Sequence, residues 1–357
     1  MSECKFFIPG PTWVRPELLQ EMTRPMIGHR GAEFRDLFER IIKNLKPLFA
    51  TAQDTFVATC TGTALLEASL LNSVQRRALV TTCGAFSERW LAIAGSLGLE
   101  VDHLDAGWGN AVDPDALQTH LRSRRTHYDV VTLTHNETST GLTNDIAALS
   151  QVIRDESPDT LILVDAVSSL GGIPVLFDEW GLDVCVASVQ KGLALPPGIA
   201  VFAVSAQALA RAKKIPYRGT YLDFLSYKKH ADDGSVPSTP AIPLFYALAT
   251  QLERMVQEET LEARFRRHLA MRDLTIQRTA SYARLASDPD HASPTVSALA
   301  PEKPAEEIKS EMKKRGFTIG GGYGAWKQST FRIGHMGDMP LEAVASMLDV
   351  LEEVART

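Results

Sequence analysis

Leu161-Ile162-Leu163-Val164-Asp165-Ala166-Val167-Ser168-Ser169 decides the reading of this chain, together with Ser188-Val189-Gln190-Lys191-Gly192-Leu193-Ala194-Leu195-Pro196-Pro197-Gly198 a little further on. An apolar run without alternation belongs to a strand covered on both faces, as in the parallel sheets of α/β proteins. This run ends on a carboxylate, so Asp165 falls at the carboxyl edge of the strand, where open α/β sheets hold their ligands. On strand pattern alone, an Asp capping a βα turn accounts for it equally. Lys191 follows a second apolar segment, Val184-Cys185-Val186-Ala187, and precedes a Pro-Pro-Gly turn into Ile199-Ala200-Val201-Phe202-Ala203-Val204. The ordinary alternative is a surface lysine, but one held in a short loop between strands is partly desolvated, which lowers its amine pKa.

The same pattern extends outward. Strands are predicted at 54–59, 78–83, 99–104, 128–134, 160–165, 183–187 and 199–204, with helices such as Ala64–Asn72, Ser87–Leu97 and Ile146–Asp155 between them. This alternation predicts an α/β fold, a mostly parallel seven-stranded sheet flanked by helices. From about residue 244, Leu252, Met255, Val256, Leu261, Phe265 and Leu269 recur at helical spacing, predicting a long amphipathic helix that links the lobes. A smaller C-terminal α+β domain follows: a helix ending at Gly316, strands at 317–319 and 329–333, and a closing helix from Leu341. The expected division is an N-terminal segment 1–15, a large domain 16–250 and a small domain 251–357. The proline-rich stretch Asp288 to Pro304 reads as a mobile loop.

With 357 residues, 45% of them hydrophobic and 22% charged, the chain can bury a large core. A net charge of -6 gives no reason to expect nucleic acid or an anionic membrane as partner, and the short clusters Arg122/Arg124/Arg125 and Lys213/Lys214 read as solvated faces. Cys4, Cys60, Cys83 and Cys185 form no CxxC pair and read as free thiols of a reducing compartment. No signal-peptide region and no run of membrane-span length is seen, so the expected location is the cytoplasm. The nine histidines show neither HExxH nor Cys/His ligand spacing, so no metal is expected.

A buried-loop lysine and a strand-end carboxylate are the two poles of a pyridoxal phosphate site. The amine holds the aldehyde as a Schiff base, and the carboxylate keeps the ring nitrogen protonated. Phe56-Val57-Ala58-Thr59-Cys60-Thr61-Gly62-Thr63-Ala64-Leu65-Leu66-Glu67 reads as strand, turn and helix start, and a helix N-terminus offers free N–H groups to a phosphate. Gly62 permits close approach, and Thr61 and Thr63 add hydroxyls; ordinary capping is the alternative. In Gly84-Ala85-Phe86-Ser87-Glu88-Arg89-Trp90, Phe86 is either a core residue or a ring stacked on the pyridine. The polar run His135-Asn136-Glu137-Thr138-Ser139-Thr140-Gly141 at a strand end suits contacts to cofactor or substrate, or simply a turn. Arg332, within the apolar Phe331-Arg332-Ile333-Gly334, suits a substrate carboxylate, which a guanidinium holds by two parallel hydrogen bonds. Gly320-Gly321-Gly322-Tyr323-Gly324 nearby reads as a flexible loop that helps close the site.

Taken in order, these motifs resemble the class V aminotransferases, in particular the alanine–glyoxylate / serine–pyruvate branch of the fold-type I pyridoxal phosphate enzymes. The resemblance runs nearly end to end, adding Pro9-Gly10-Pro11, Met26-Ile27-Gly28-His29-Arg30 and Tyr221-Leu222-Asp223 to the segments above. It implies Lys191 as Schiff-base lysine and proton shuttle, Asp165 as partner of the ring nitrogen, and Phe86 as the stacking ring. Thr138 would touch the cofactor ring and Val167 its other face. Gly62, Thr63 and Gln190 would contact the phosphate, joined by Thr239 from a second subunit of a homodimer. Some relatives carry a tyrosine where this chain has Val236.

The implied reaction is ping-pong transamination of a small L-amino acid, alanine or serine, with pyruvate or glyoxylate, through pyridoxamine phosphate. A 2-aminoethylphosphonate–pyruvate transaminase is the alternative, although its pattern after Pro-Gly-Pro usually differs from Thr12-Trp13-Val14-Arg15-Pro16. Cysteine desulfurases need a nucleophilic cysteine in the C-terminal half, where this chain has only Cys185 in a strand-like run. A non-catalytic binding protein on this scaffold predicts loss of Lys191 or Asp165, and both are present. The donor is not fixed by sequence, because one methylene or hydroxyl changes binding by only about 1–3 kcal/mol in an apolar pocket.

Overall fold

A computed structural model describes residues 5–123 and 127–356, so Cys4, Arg124 and Arg125 lie outside the described residues. Seven strands, β1 (Asp54–Ala58), β2 (Arg77–Thr82), β3 (Glu100–Asp105), β4 (Val130–Thr134), β5 (Leu161–Asp165), β6 (Val184–Ser188) and β7 (Ala200–Val204), form one sheet. Their order is β1-β7-β6-β5-β4-β2-β3. All pairs are parallel except those of β7, which runs antiparallel to β6 and β1. Every residue of β4 to β7 is buried, whereas the edge strand β3 is partly exposed throughout. The sheet separates two apolar layers, one containing Val57, Leu79, Val131 and Ile162 and the other Phe56, Ala78, Val130 and Leu161. Burying each such Leu, Ile or Phe contributes roughly 1.5–3 kcal/mol, an upper estimate relative to an extended chain.

Helices α1 (Gly62–Ser73) and α2 (Glu88–Ser96) leave the carboxyl ends of β1 and β2. The single long linking helix expected from residue 244 is two helices, α3 (Ile242–Glu253) and α4 (Leu261–Thr279), joined by a π-helical turn over Arg254–Glu259. The break is at Thr260, whose φ of 67° is unusual for a β-branched residue. Its side chain caps α4 by accepting from the Ala263 N–H at 3.3 Å. Apolar spacing passes across the break because both helices turn the same kind of face inward, which is why periodicity alone did not reveal it.

The C-terminal part holds a second sheet of β8 (Ala283–Leu285), β9 (Val296–Pro301), β10 (Thr318–Gly321) and β11 (Phe331–Gly334), in the order β10-β11-β9-β8. The N-terminal strand Phe6–Phe7 completes it, pairing in parallel with Thr318 and Ile319. The mobile loop expected over 288–304 is therefore corrected. Its second half is β9, with partners on both sides and Val296 to Leu299 buried. The prolines that argued for a loop sit outside or at the end of the strand, where no ladder N–H is needed. No helix among the described residues is long and apolar enough to cross a membrane.

Candidate active site

Register brings the two poles together. Asp165, the last residue of β5, lies opposite Thr134 of β4 and Val186 of β6, and β6 runs directly into the Lys191 loop. Thr61, Gly62, Thr63, Phe86, Thr138, Asp165, Val167, Gln190 and Lys191, all singled out from the sequence, line one cavity of about 360 Å³. Burial lowers the Lys191 amine to about 8, helped by the positive charge of Arg332 and opposed by Asp165. Burial raises the Asp165 carboxyl to about 6, opposed by the Val167 N–H, which donates to it at 2.8 Å.

The Lys191 loop is held from the N-terminal segment. Thr12 donates its N–H to the Gln190 carbonyl (3.1 Å) and its hydroxyl to the Lys191 carbonyl (3.2 Å), and the Lys191 ammonium donates to the Pro9 carbonyl. Gly10 is required here, since a Cβ on it would lie 2.7 Å from Lys191 Nζ. At the other end of the cavity, α1 begins at Gly62, whose missing Cβ would stand 2.8 Å from Val167 Cγ2. Thr61 caps α1 at 3.3 Å, and Arg89 donates to the Thr63 hydroxyl at 2.9 Å. A helix N-terminus, two hydroxyls and a guanidinium therefore converge, a donor set suited to a phosphate.

Phe86 lines the cavity on a turn fixed by a residue that sequence reasoning passed over. Glu137 is fully buried and accepts from the N–H groups of Phe86, Ser87 (2.8 Å) and Ser139 (3.1 Å) and from the Ser139 hydroxyl (2.6 Å). A carboxylate so placed would be costly without these donors, and together they lock the turn that carries the ring. Glu137 was legible only as one polar residue of a turn, because the donors through which it fixes Phe86 come from the loop after β2. Ser168 was missed for the same reason. Its hydroxyl accepts from Asn136 (2.8 Å) and Thr138 (2.7 Å), which sets the Thr138 side chain.

Three further residues stand apart from the cavity wall. Arg332, 9% exposed, is not among the residues that line the cavity, and donates Nε to the Gly321 carbonyl (2.8 Å) and Nη1 to the Thr138 carbonyl (3.1 Å). Among the described residues no hydrogen-bond partner meets Nη2, so that edge of the guanidinium remains for a ligand. Thr239 is exposed and lies beside Thr59, Tyr221 and Val236, outside the cavity of its own chain. The His135 ring packs edge-on against Trp180 at 5.5 Å, and burial lowers it to about 4, so it is a neutral packing residue.

The class-V aminotransferase family model matches residues 17–327. A protein of Synechococcus named as the small subunit of a soluble hydrogenase is 37% identical, over 100% of this chain and 95% of its own length. The serine–glyoxylate aminotransferase of Methylorubrum extorquens is 34% identical, over 93% of this chain and 86% of its own. Among solved structures, the alanine–glyoxylate aminotransferase of Nostoc sp. superposes with a TM-score of 0.92 at 28% identity, covering 99% of this chain and 96% of that one.

Proposed function

Because the chain belongs to the class-V aminotransferase family, we propose that it moves the amino group of a small L-amino acid, alanine or serine, to pyruvate or glyoxylate, using pyridoxal phosphate carried on Lys191. The observation that carries this reading is the Lys191 amine, lowered to about 8, facing the same cavity as the buried Asp165. Relatives named for serine and glyoxylate and for alanine and glyoxylate support the choice of substrates.

When bound, pyridoxal phosphate supplies an aldehyde that takes up the amino group and a pyridine ring that draws electrons from the Cα–H bond. Asp165 holds a proton at the ring nitrogen from the end of β5. Gly62, Thr63 and the N-terminus of α1 hold the phosphate, with Thr61 and Gln190 beside them. Phe86 covers one face of the ring, excluding water, and Val167 packs on the other with Thr138 at its edge. Lys191 takes the proton from Cα and delivers it to the carbon that was the cofactor's aldehyde, a transfer suited to an amine lowered toward neutral pH. Arg332 orients the α-carboxylate through its Nη2 edge. The exposure of Thr239, away from its own cavity, supports a homodimer in which it reaches the partner's phosphate site. The free thiols of Cys60, Cys83 and Cys185 support a reducing, cytoplasmic setting.

The test is the near-ultraviolet and visible spectrum of the purified protein, before and after L-alanine or L-serine is added without an oxo acid. Replacement of the bound chromophore's band by that of pyridoxamine phosphate is expected; a band indifferent to both amino acids would overturn the choice of donor. Arg332→Lys is expected to raise KM for the donor roughly tenfold to a hundredfold, since a charge-assisted hydrogen bond contributes about 1.5–3 kcal/mol and lysine cannot reproduce the fork. Cofactor retention should be unchanged, as read from the ratio of bound chromophore to protein.

A pH dependence follows from Lys191. Its pKa is lowered to about 8, so the nucleophilic, unprotonated form grows as pH rises, reaches half at that value and is nearly complete about one unit above it. The rate at which cofactor-free protein takes up pyridoxal phosphate should climb through neutral pH and level off above that value. A rate still climbing toward pH 10, as for an ordinary lysine, would contradict the burial of the amine.

A further inference from the structure

Tyr323 has no part in the amino transfer proposed for this site. It follows β10 in the glycine-rich stretch, is 40% exposed, and makes two aromatic contacts at the site. Its ring stacks on Phe86 with centroids 5.3 Å apart and planes 21° apart, and the Arg332 guanidinium carbon lies 5.4 Å from its centroid. A ring at the surface, against a guanidinium only 9% exposed, is a cover on that cation.

The cover is docked rather than loose. Gly324, at φ +51°, packs so closely on Trp108 that a Cβ would stand 2.2 Å from that ring, and a Cβ on Gly109 would stand 2.5 Å from Trp326. The two indoles meet edge to face at 5.8 Å, and Trp108 Nε1 donates to Glu88 at 2.7 Å. This reciprocal glycine–tryptophan packing ties the loop after β10 to the loop after β3. Tyr323 therefore stays over Phe86 and Arg332 while the contact holds.

We propose that Tyr323 is a specificity-determining residue, its ring covering Arg332 and filling the space beside Phe86 so that only donors with short side chains are accepted. The proposal deepens the transaminase reading and rests on Arg332 as the carboxylate-binding group. The packing also gives the reason the limit is sharp: a longer side chain must either displace the ring or undo the Trp108–Trp326 contact.

Two readouts on the purified holoenzyme test it. The first is the rate at which phenylglyoxal modifies Arg332, followed by peptide mass spectrometry. Tyr323→Ala should raise that rate at least tenfold and Tyr323→Phe, which keeps the planar ring, should not; equal rates in wild type and Y323A would overturn the cover. The second is kcat/KM along L-alanine, L-2-aminobutyrate and L-norvaline with one oxo acid. Y323A should narrow the preference for alanine over norvaline at least tenfold while Y323F retains it, and an unchanged preference in Y323A would overturn the specificity role. Y323S serves in place of Y323A if the latter folds poorly. Should wild type turn over neither these donors nor L-serine, the transaminase reading fails, and the modification rates still decide whether Tyr323 covers Arg332.

Discussion

Lys191→Ala is expected to lower transaminase turnover by about four orders of magnitude, the upper range for loss of a positioned proton-transfer group, with the covalent anchor of the cofactor lost as well. No other amine lines the cavity among the described residues; its other cation, Arg89, cannot deprotonate to act as a base. The loss should be chemical rather than structural. The side chain passes close by Gly10, and the loop is held by Thr12 through backbone carbonyls that alanine keeps. Two controls separate the causes. Thermal unfolding of K191A should resemble that of wild type, and a small free amine such as methylamine should restore part of the rate, because the space left by the side chain opens on the cavity. Full turnover in K191A would remove the mechanism.

Asp338→Ala should give the largest loss of stability, about 3–5 kcal/mol, the range for removing one partner of a buried ion pair. Asp338 is 3% exposed and accepts from Arg264 (2.8 Å), Arg15 (2.9 Å), Gln251 (3.0 Å) and Arg254 (3.1 Å). Burial alone would push its carboxyl up, but the charge and hydrogen bond of Arg264, with Arg15 and Gln251, hold it well below the usual carboxylate range. Arg264 is fully buried, and alanine at 338 would leave its charge with only Glu259 opposite.

The damage should also reach the site. Arg264 donates to the Gly171 (2.7 Å) and Gly192 (2.6 Å) carbonyls, and Gln251 to that of Leu193 (2.9 Å), so the network grips the loop of Lys191 from behind. Urea unfolding should therefore show the stability loss, and cofactor affinity should fall with it; Asp338→Asn, which still accepts hydrogen bonds, should fall between. The sign of the pH effect is fixed by the lowered pKa. The stabilisation is present above the unfolded value near 4 and is lost as pH falls below it. D338A should accordingly be less sensitive to acid than wild type. A D338A protein as stable as wild type would show that the arginines find other partners.

The large sheet was legible because burial on both faces writes strands as plain apolar runs. Leu161 to Val164 and Ala200 to Val204 contain no polar residue, and even the partly exposed β3 was bounded within a residue or so. Helix starts at Gly62 and Glu88 were readable from the turns before them. The small sheet was less so. Phe6–Phe7 meets Thr318–Ile319 across most of the chain, a pairing no local pattern encodes, and β9 was hidden by flanking prolines. In the site, residue types with one dominant chemistry, such as Lys191 and Asp165, could be assigned from sequence. Glu137, Ser168, Asp338 and Tyr323 could not, because each acts through partners brought in by tertiary folding. Arg332 was found by its charge in an apolar strand, but its tether to the Thr138 carbonyl, 194 positions away, is visible only in the fold.

The most direct measurement of the central claim is borohydride reduction of the purified protein after incubation with pyridoxal phosphate, followed by proteolysis and mass spectrometry of the peptides. A phosphopyridoxyl group on Lys191, absent when the protein is first treated with an amino donor, is the predicted result. The same group spread over surface lysines, or none at Lys191, would contradict the assignment of this lysine and the mechanism built on it.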